Sequence, residues 1–218
     1  MPDHEQAGRY PGYDVLAKRN TPSWNDQTRR VIDQRLAVPG DPRFFTEDEF
    51  ATVAAIAARL VPRRGGQPAI PVAALVDHKL FTGRSDGYRQ AGMPRQGDAW
   101  RLGLQALDAE AQRAFGGRFR ELGAAEQDEL LKQMQSGELR DPAWGEMPAA
   151  TFFSHRMAHD IVLACFSHPA AWSAVGWGGP ASPRGYVRMD FDQRDPWEAV
   201  ERRDGDHGAA QRKNRHVG

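Results

Sequence analysis

Thr46-Glu-Asp-Glu-Phe-Ala-Thr-Val-Ala-Ala-Ile-Ala-Ala-Arg-Leu-Val-Pro62 decides the fold class. Thr46 and Glu49 are spaced as a capping box, in which the hydroxyl and the carboxylate each satisfy a free backbone N–H at a helix start. Phe50, Val53, Ile56, Ala57, Leu60 and Val61 then recur on one helical face, and Pro62 stops the run.

The same period continues on both sides. Trp24, Thr28, Val31, Ile32 and Leu36 mark a helix closed by Pro39-Gly40. Pro71 suits the first turn of another, with Val72, Leu75, Val76 and Leu80 as its stripe. Residues 82–97, with Gly83, Gly87, Gly92, Pro94 and Gly97, read as a loop. Trp100, Leu104, Leu107, Ala111 and Phe115 predict a fourth helix, with Gly116-Gly117 as its end or a kink. A short amphipathic helix follows over 124–135 and a further one over 149–166, ending before His168-Pro169. Only Tyr186 to Phe191 alternates as a strand would.

The predicted class is therefore mainly all-α. A compact helical domain spans 21–200 and carries a long, ordered Gly/Pro/aromatic loop near its C-terminal end. Residues 1–20 show no periodicity and read as an extended arm. Residues 201–218 hold one large apolar side chain, Val217, and read as a flexible tail.

The 218 residues suit one domain with trimmings, and 29 basic side chains balance 29 acidic ones. A dedicated nucleic-acid binder shows a basic excess, and this chain has none. Charge gives it no reason to sit on an anionic membrane either. Cys165, the sole cysteine, rules out an intrachain disulfide and a multi-cysteine metal site. No apolar stretch approaches the roughly 20 residues a membrane-spanning helix needs. The first 30 residues contain no apolar run, and after Arg29-Arg30 the pair Val31-Ile32 meets Asp33-Gln34-Arg35 at once, unlike an export signal. The expected compartment is the cytoplasm, with the periplasm as the alternative if a partner carries the chain across.

No catalytic set is readable. Gly83-Arg-Ser85-Asp-Gly87 matches the hydrolase pattern G-x-S-x-G, but that elbow needs a strand before it and a helix after it. Here a helical stripe precedes it and a loop follows. His155 and His159 stand four apart, a spacing that puts both imidazoles on one helical face, with His168 further on. Arg156 occupies the place where a zinc protease has its glutamate. Two histidines at the edge of a partly buried helix are the simpler reading; a metal- or haem-binding electron-transfer protein is the alternative. Gly176-Trp177-Gly178-Gly179 lacks the lysine and spacing of a phosphate loop, and Asp190, Asp192, Asp195 and Glu198 read as a solvated acidic edge.

The informative segment runs from His168 through Trp172, Gly176-Trp177-Gly178-Gly179-Pro180, Pro183-Arg184-Gly185-Tyr186 and Arg188 to Asp195-Pro196-Trp197-Glu198. Its glycines allow close backbone approach, and its prolines lower the entropy of the unfolded chain. Trp, Tyr and Arg together have the composition of interface hot spots. A loop that simply covers the domain's own core has the same composition.

On these residues the chain resembles the gluconate 2-dehydrogenase subunit 3 family. Phe45-Thr46 and Leu60-Val61-Pro62 support the likeness, which covers about residues 44 to 200. The resemblance implies a non-catalytic small subunit without a cofactor of its own. Its partner would be an FAD-containing large subunit of the glucose-methanol-choline type that oxidises sugars, sugar acids or polyols, with a cytochrome or other electron acceptor completing the complex. Trp172, Trp177, Pro180, Arg184, Tyr186 and Trp197 are the expected partner contacts. Many relatives carry a twin-arginine signal, a point on which this sequence departs.

Overall fold

The computed structural model describes residues 9–61, 69–182, 185, 198–203 and 207–216. Among them the fold is all-α, with no strand beyond one isolated bridge between Trp24 and Ser182. The helices are α1 (Asp26–Leu36), α2 (Glu47–Leu60), α3 (Val72–Phe81), α4 (Gln96–Phe115), α5 (Ala124–Ser136), α6 (Ala149–Phe152), α7 (Ala158–Ser167), α8 (Pro169–Val175) and α9 (His207–Asn214). None of them is long and apolar enough to cross a membrane. The strand signal at Tyr186 to Phe191 lies outside the described residues.

The chain separates into two compact units. One gathers residues 1–37, 63–70 and 166–218; the other holds 38–62 and 71–165. Of the span expected as an N-terminal arm, residues 9–20 are described, and Tyr13, Val15 and Lys18 in it are buried. Tyr13, Val15, Trp24, Ile32, Trp172 and Ala199 form the core of the first unit. Val15 opens a short 3-10 turn, Val15–Asn20, capped by Asp14. The Val15 N–H donates to Ser173 Oγ at 3.0 Å, and the buried Lys18 amine donates to the Gly178 carbonyl. A 3-10 turn flanked by coil buries side chains without the 3.6-residue period, so periodicity misses it.

Part of the span expected as a C-terminal tail is helical. Helix α9 buries Ala210 and Asn214. Asn214 accepts the Val200 N–H at 2.7 Å and donates to the carbonyls of Pro11 (2.9 Å) and Val200 (3.0 Å). A polar bracket, not apolar area, secures this end.

The segment after His168, expected as loop, begins with a helix. Pro169 stands in the first turn of α8, where its missing N–H costs nothing, and Gly176 ends the helix at φ 69°. Gly176 also meets the Tyr10 ring: a Cβ there would lie 2.4 Å from Tyr10 Cζ. Gly116, at φ 76°, closes α4 with nothing within 4 Å. Gly116→Ala is therefore expected to cost only the left-handed strain, about 1–2 kcal/mol. Gly176→Ala adds the ring overlap, and its urea midpoint should fall further; equal midpoints for the two variants would contradict this packing.

His168 caps α8, its Nδ1 accepting the Ala170 N–H at 3.2 Å. Burial holds the imidazole below its ordinary 6.5. A depressed histidine lets the unfolded chain take up its proton first, so stability falls as pH drops below about 6.5 and levels off once the lower folded value is passed. Thermal unfolding between about pH 7 and pH 5 should show this slope, and His168→Asn, which keeps a capping oxygen, should flatten it. An unchanged slope in the variant contradicts the assignment.

In the second unit the capping box stands as read: Thr46 Oγ1 accepts the Glu49 N–H and the Glu49 carboxylate accepts the Thr46 N–H. Helix α2 packs on α3, α4 and α5, and Arg59 on α2 makes a two-pronged ion pair with Asp128 on α5, both contacts 2.7 Å. The core is a run of rings, edge-on from Phe45 to Trp100 (5.8 Å) and from Trp100 to Phe152 (5.7 Å), and tilted from Phe152 to Trp144 (5.9 Å). Between α6 and α7 the backbone forms a π turn, Phe153–Met157, in which the Ala158 N–H donates to the Phe153 carbonyl five residues back. Such turns insert one residue into a helix and cluster at functional sites.

Candidate functional site

Three buried carboxylates organise the second unit, and each is consumed by its neighbours. Asp77 on α3 accepts the backbone N–H groups of Arg43 (2.9 Å), Phe44 (3.0 Å) and Phe45 (2.9 Å), fixing the approach to α2. Glu110 on α4 accepts the Asp141 N–H at 2.7 Å and Trp144 Nε1 at 3.2 Å, and pairs with Arg113. These two tie loops to helices.

Asp160 on α7 is the third and the richest. Its side chain is fully buried. One oxygen accepts Trp100 Nε1 at 2.8 Å and Gln96 Nε2 at 3.2 Å; the other accepts Lys79 Nζ at 2.8 Å. Lys79 also donates to Asp86 at 2.7 Å, and Arg156 from the π turn reaches Asp86 at 2.6 Å. Two carboxylates thus face two cations. Burial pushes the Asp86 carboxyl up, but the hydrogen bonds of Lys79 and Arg156 outweigh it and hold it below 3.8. Burial likewise pushes the Lys79 amine down, and its two carboxylate partners outweigh that and hold it above 10.5.

Asp86, His159 and Asp160 bring ligand atoms within 4.8 Å of one another, with His159 Nδ1 3.5 Å from Asp160. A divalent cation does not fit this set as it stands. The oxygens it would need already hold Lys79 and Arg156, and a metal would have to displace both ammonium and guanidinium. His155 does not join the set: its ring is exposed and stands 3.4 Å from Gln90 Nε2. His168 is spent on its cap, and burial raises the Cys165 thiol above 9.0, which makes it a poor thiolate ligand. Ser85 sits exposed in the loop after α3, with neither a strand before it nor a helix directly after it.

The expected partner contacts fare unequally. Trp172 is buried in the first unit's core and packs behind Trp177. Trp177 packs edge-on against Trp172, centroids 4.8 Å apart, and leaves 44% of its surface exposed. Pro180 is half-buried. Arg184, Tyr186 and Trp197 lie outside the described residues, as do Asp190, Asp192 and Asp195; Glu198 is half-buried. The glycines beside Trp177 are packing glycines, not a phosphate cradle: the Gly178 carbonyl holds Lys18, and Gly179 lies against Val15, Trp172 and Trp24.

Sequence reasoning missed the Asp160 network. Lys79, Asp86, Trp100 and Asp160 come from α3, a loop, α4 and α7, and no local spacing joins them.

No curated protein and no solved structure matches the chain significantly. A family model described as gluconate 2-dehydrogenase subunit 3 matches residues 47–179. The match takes in the second unit from α2 onward and ends at Gly179, so it includes His168 to Gly179 of the informative segment and excludes the rest. With more than half its length matched, the chain belongs to the gluconate 2-dehydrogenase subunit 3 family.

Proposed function

We propose that the chain is a non-catalytic small subunit that docks on, and stabilises or matures, an FAD-dependent large subunit of the glucose-methanol-choline type. That partner would oxidise CH–OH groups of sugars, sugar acids or polyols, and FAD would reside there. The observation that carries the reading is Trp177. A large aromatic, backed by a buried tryptophan and flanked by the exposed Val175, keeps nearly half its surface in water. Rigid aromatics of this kind anchor interfaces, because little conformational entropy is lost when they bind. The buried carboxylates support the same reading from the other side, since their hydrogen bonds are spent on holding helices and loops.

Co-expression tests it. With this chain present, a co-expressed flavoprotein of the glucose-methanol-choline type from the same source should be more soluble, carry more flavin and oxidise its substrate faster. A flavoprotein equally soluble, flavinated and active alone would sink the proposal.

A further inference from the structure

The loop between α3 and α4 has a surface that the buried network does not explain. Gly83 (φ 66°) and Gly87 (φ 79°) turn the chain on either side of Asp86, which points inward to Lys79 and Arg156. The loop is held at both ends as well. The Arg84 N–H donates to the Lys79 carbonyl at 3.1 Å, and Met93 is buried. What faces outward is Tyr88, 63% exposed, and Phe81 at the end of α3, 52% exposed. Arg43 stacks over the Phe81 ring at 4.4 Å and contacts His78 Nδ1 at 2.5 Å.

Between Phe81 and Arg95 every exposed charge is positive. Arg84, Arg89 and Arg95 are exposed, and none has a side-chain partner among the described residues. Asp86, the only acid between Phe81 and Arg95, is neutralised by its two cations. Burial, then Arg43 and Arg84, push His78 below 6.5, consistent with guanidinium groups gathered at this end of α3. In a chain of balanced overall charge, three exposed arginines in the same short segment as two exposed aromatics are a local excess.

We infer that residues 81–95 form a second docking surface, which receives an acidic face of the flavoprotein partner: Phe81 and Tyr88 enter apolar recesses, and Arg84, Arg89 and Arg95 meet carboxylates around them. The inference rests on the proposed subunit role and adds to it the place and the chemistry of contact. Arginine and tyrosine suit such a surface, because guanidinium forks match carboxylates in two-pronged pairs and a tyrosine ring brings area at low entropic cost. Asp86 is then a positioning residue: it touches no partner and holds the loop from behind.

The test uses the intact chain co-expressed with a glucose-methanol-choline-type flavoprotein from the same source, comparing wild type with Arg84→Glu/Arg89→Glu, with Tyr88→Ala and with Asp86→Asn. Circular dichroism and melting of the first two variants should match wild type, since the residues changed are exposed. The dissociation constant should rise about tenfold or more for each of the two. The wild-type affinity should weaken as salt is raised, and that salt dependence should shrink in the charge variant. Asp86→Asn should weaken binding while leaving the salt dependence intact, because the arginines remain. A wild-type complex that tolerates the charge reversal and Tyr88→Ala unchanged overturns this surface and leaves the subunit role standing. Absence of any wild-type complex overturns both. A self-dimer abolished by Arg84→Glu/Arg89→Glu assigns the surface to a second copy and overturns the choice of partner.

Discussion

Replacing Asp160 with alanine is expected to destabilise the second unit by about 3–5 kcal/mol, the cost of leaving buried partners without their counter-charge. The loss is large because three groups donate hydrogen bonds to one carboxylate. Lys79, largely buried, keeps only Asp86; Trp100 Nε1, in the centre of the ring run, loses its acceptor; Gln96 loses its own. The wild-type network is not thereby a large net source of stability, since desolvating four charges offsets most of their attraction. Asp160→Asn should fall between wild type and alanine, because one amide oxygen can still accept from Trp100. Adding Lys79→Met to it should recover part of the loss by removing the stranded ammonium. Denaturant unfolding followed by tryptophan fluorescence measures all of these, and an alanine variant within about 1 kcal/mol of wild type would show that Asp160 does not hold the unit.

The second large effect is expected at Gly103, in the middle of α4. A Cβ there would lie 2.2 Å from Phe152 Cζ and 2.4 Å from its Cε1. Alanine favours a helix over glycine by about 1 kcal/mol, so on local propensity Gly103→Ala should stabilise. Packing decides the sign. Phe152 is fully buried and its ring is caught between Trp100 and Trp144, so it cannot retreat. Overpacking costs typically about 1–3 kcal/mol, and an overlap this deep belongs at the top of that range. A net loss of about 2 kcal/mol is therefore expected. Phe152→Leu, which removes the intruding ring atoms, should cost less in the Gly103→Ala background than alone, giving a double-mutant coupling. A Gly103→Ala protein as stable as wild type would contradict the packing.

These two cases show what the sequence displayed and what it hid. Thr46 and Glu49 were legible because a capping box is local, and so were the stripes of α2 to α5, since a buried helical face repeats every 3.6 residues. Gly103 carried a signal that periodicity alone passes over: a glycine inside an otherwise regular helix often marks close approach by a neighbour. Pro169 and Gly176 bracket α8 with the usual start and stop residues, yet the surrounding glycines and prolines made the whole segment read as loop. Val15 and Asn214 were illegible, because coil and polar brackets have no period. The Asp160 network was illegible for a different reason, its members meeting only in the folded chain.

Composition does not separate Trp177, which is exposed, from Trp172, which is buried behind it. The loop around Tyr88 has no period, and its G-x-S-x-G match at Ser85 says nothing of its packing. Its structural content is Asp86, which anchors the loop and so presents its neighbours.

The most direct measurement is sedimentation of the co-expressed pair followed by flavin absorbance. The account predicts that flavin absorbance sediments as one boundary containing both chains, and that Trp177→Ala combined with Arg84→Glu/Arg89→Glu splits it into a flavin-bearing large subunit and a colourless small one. Flavin absorbance sedimenting with the large subunit alone, in the presence of the wild-type chain, would contradict the account.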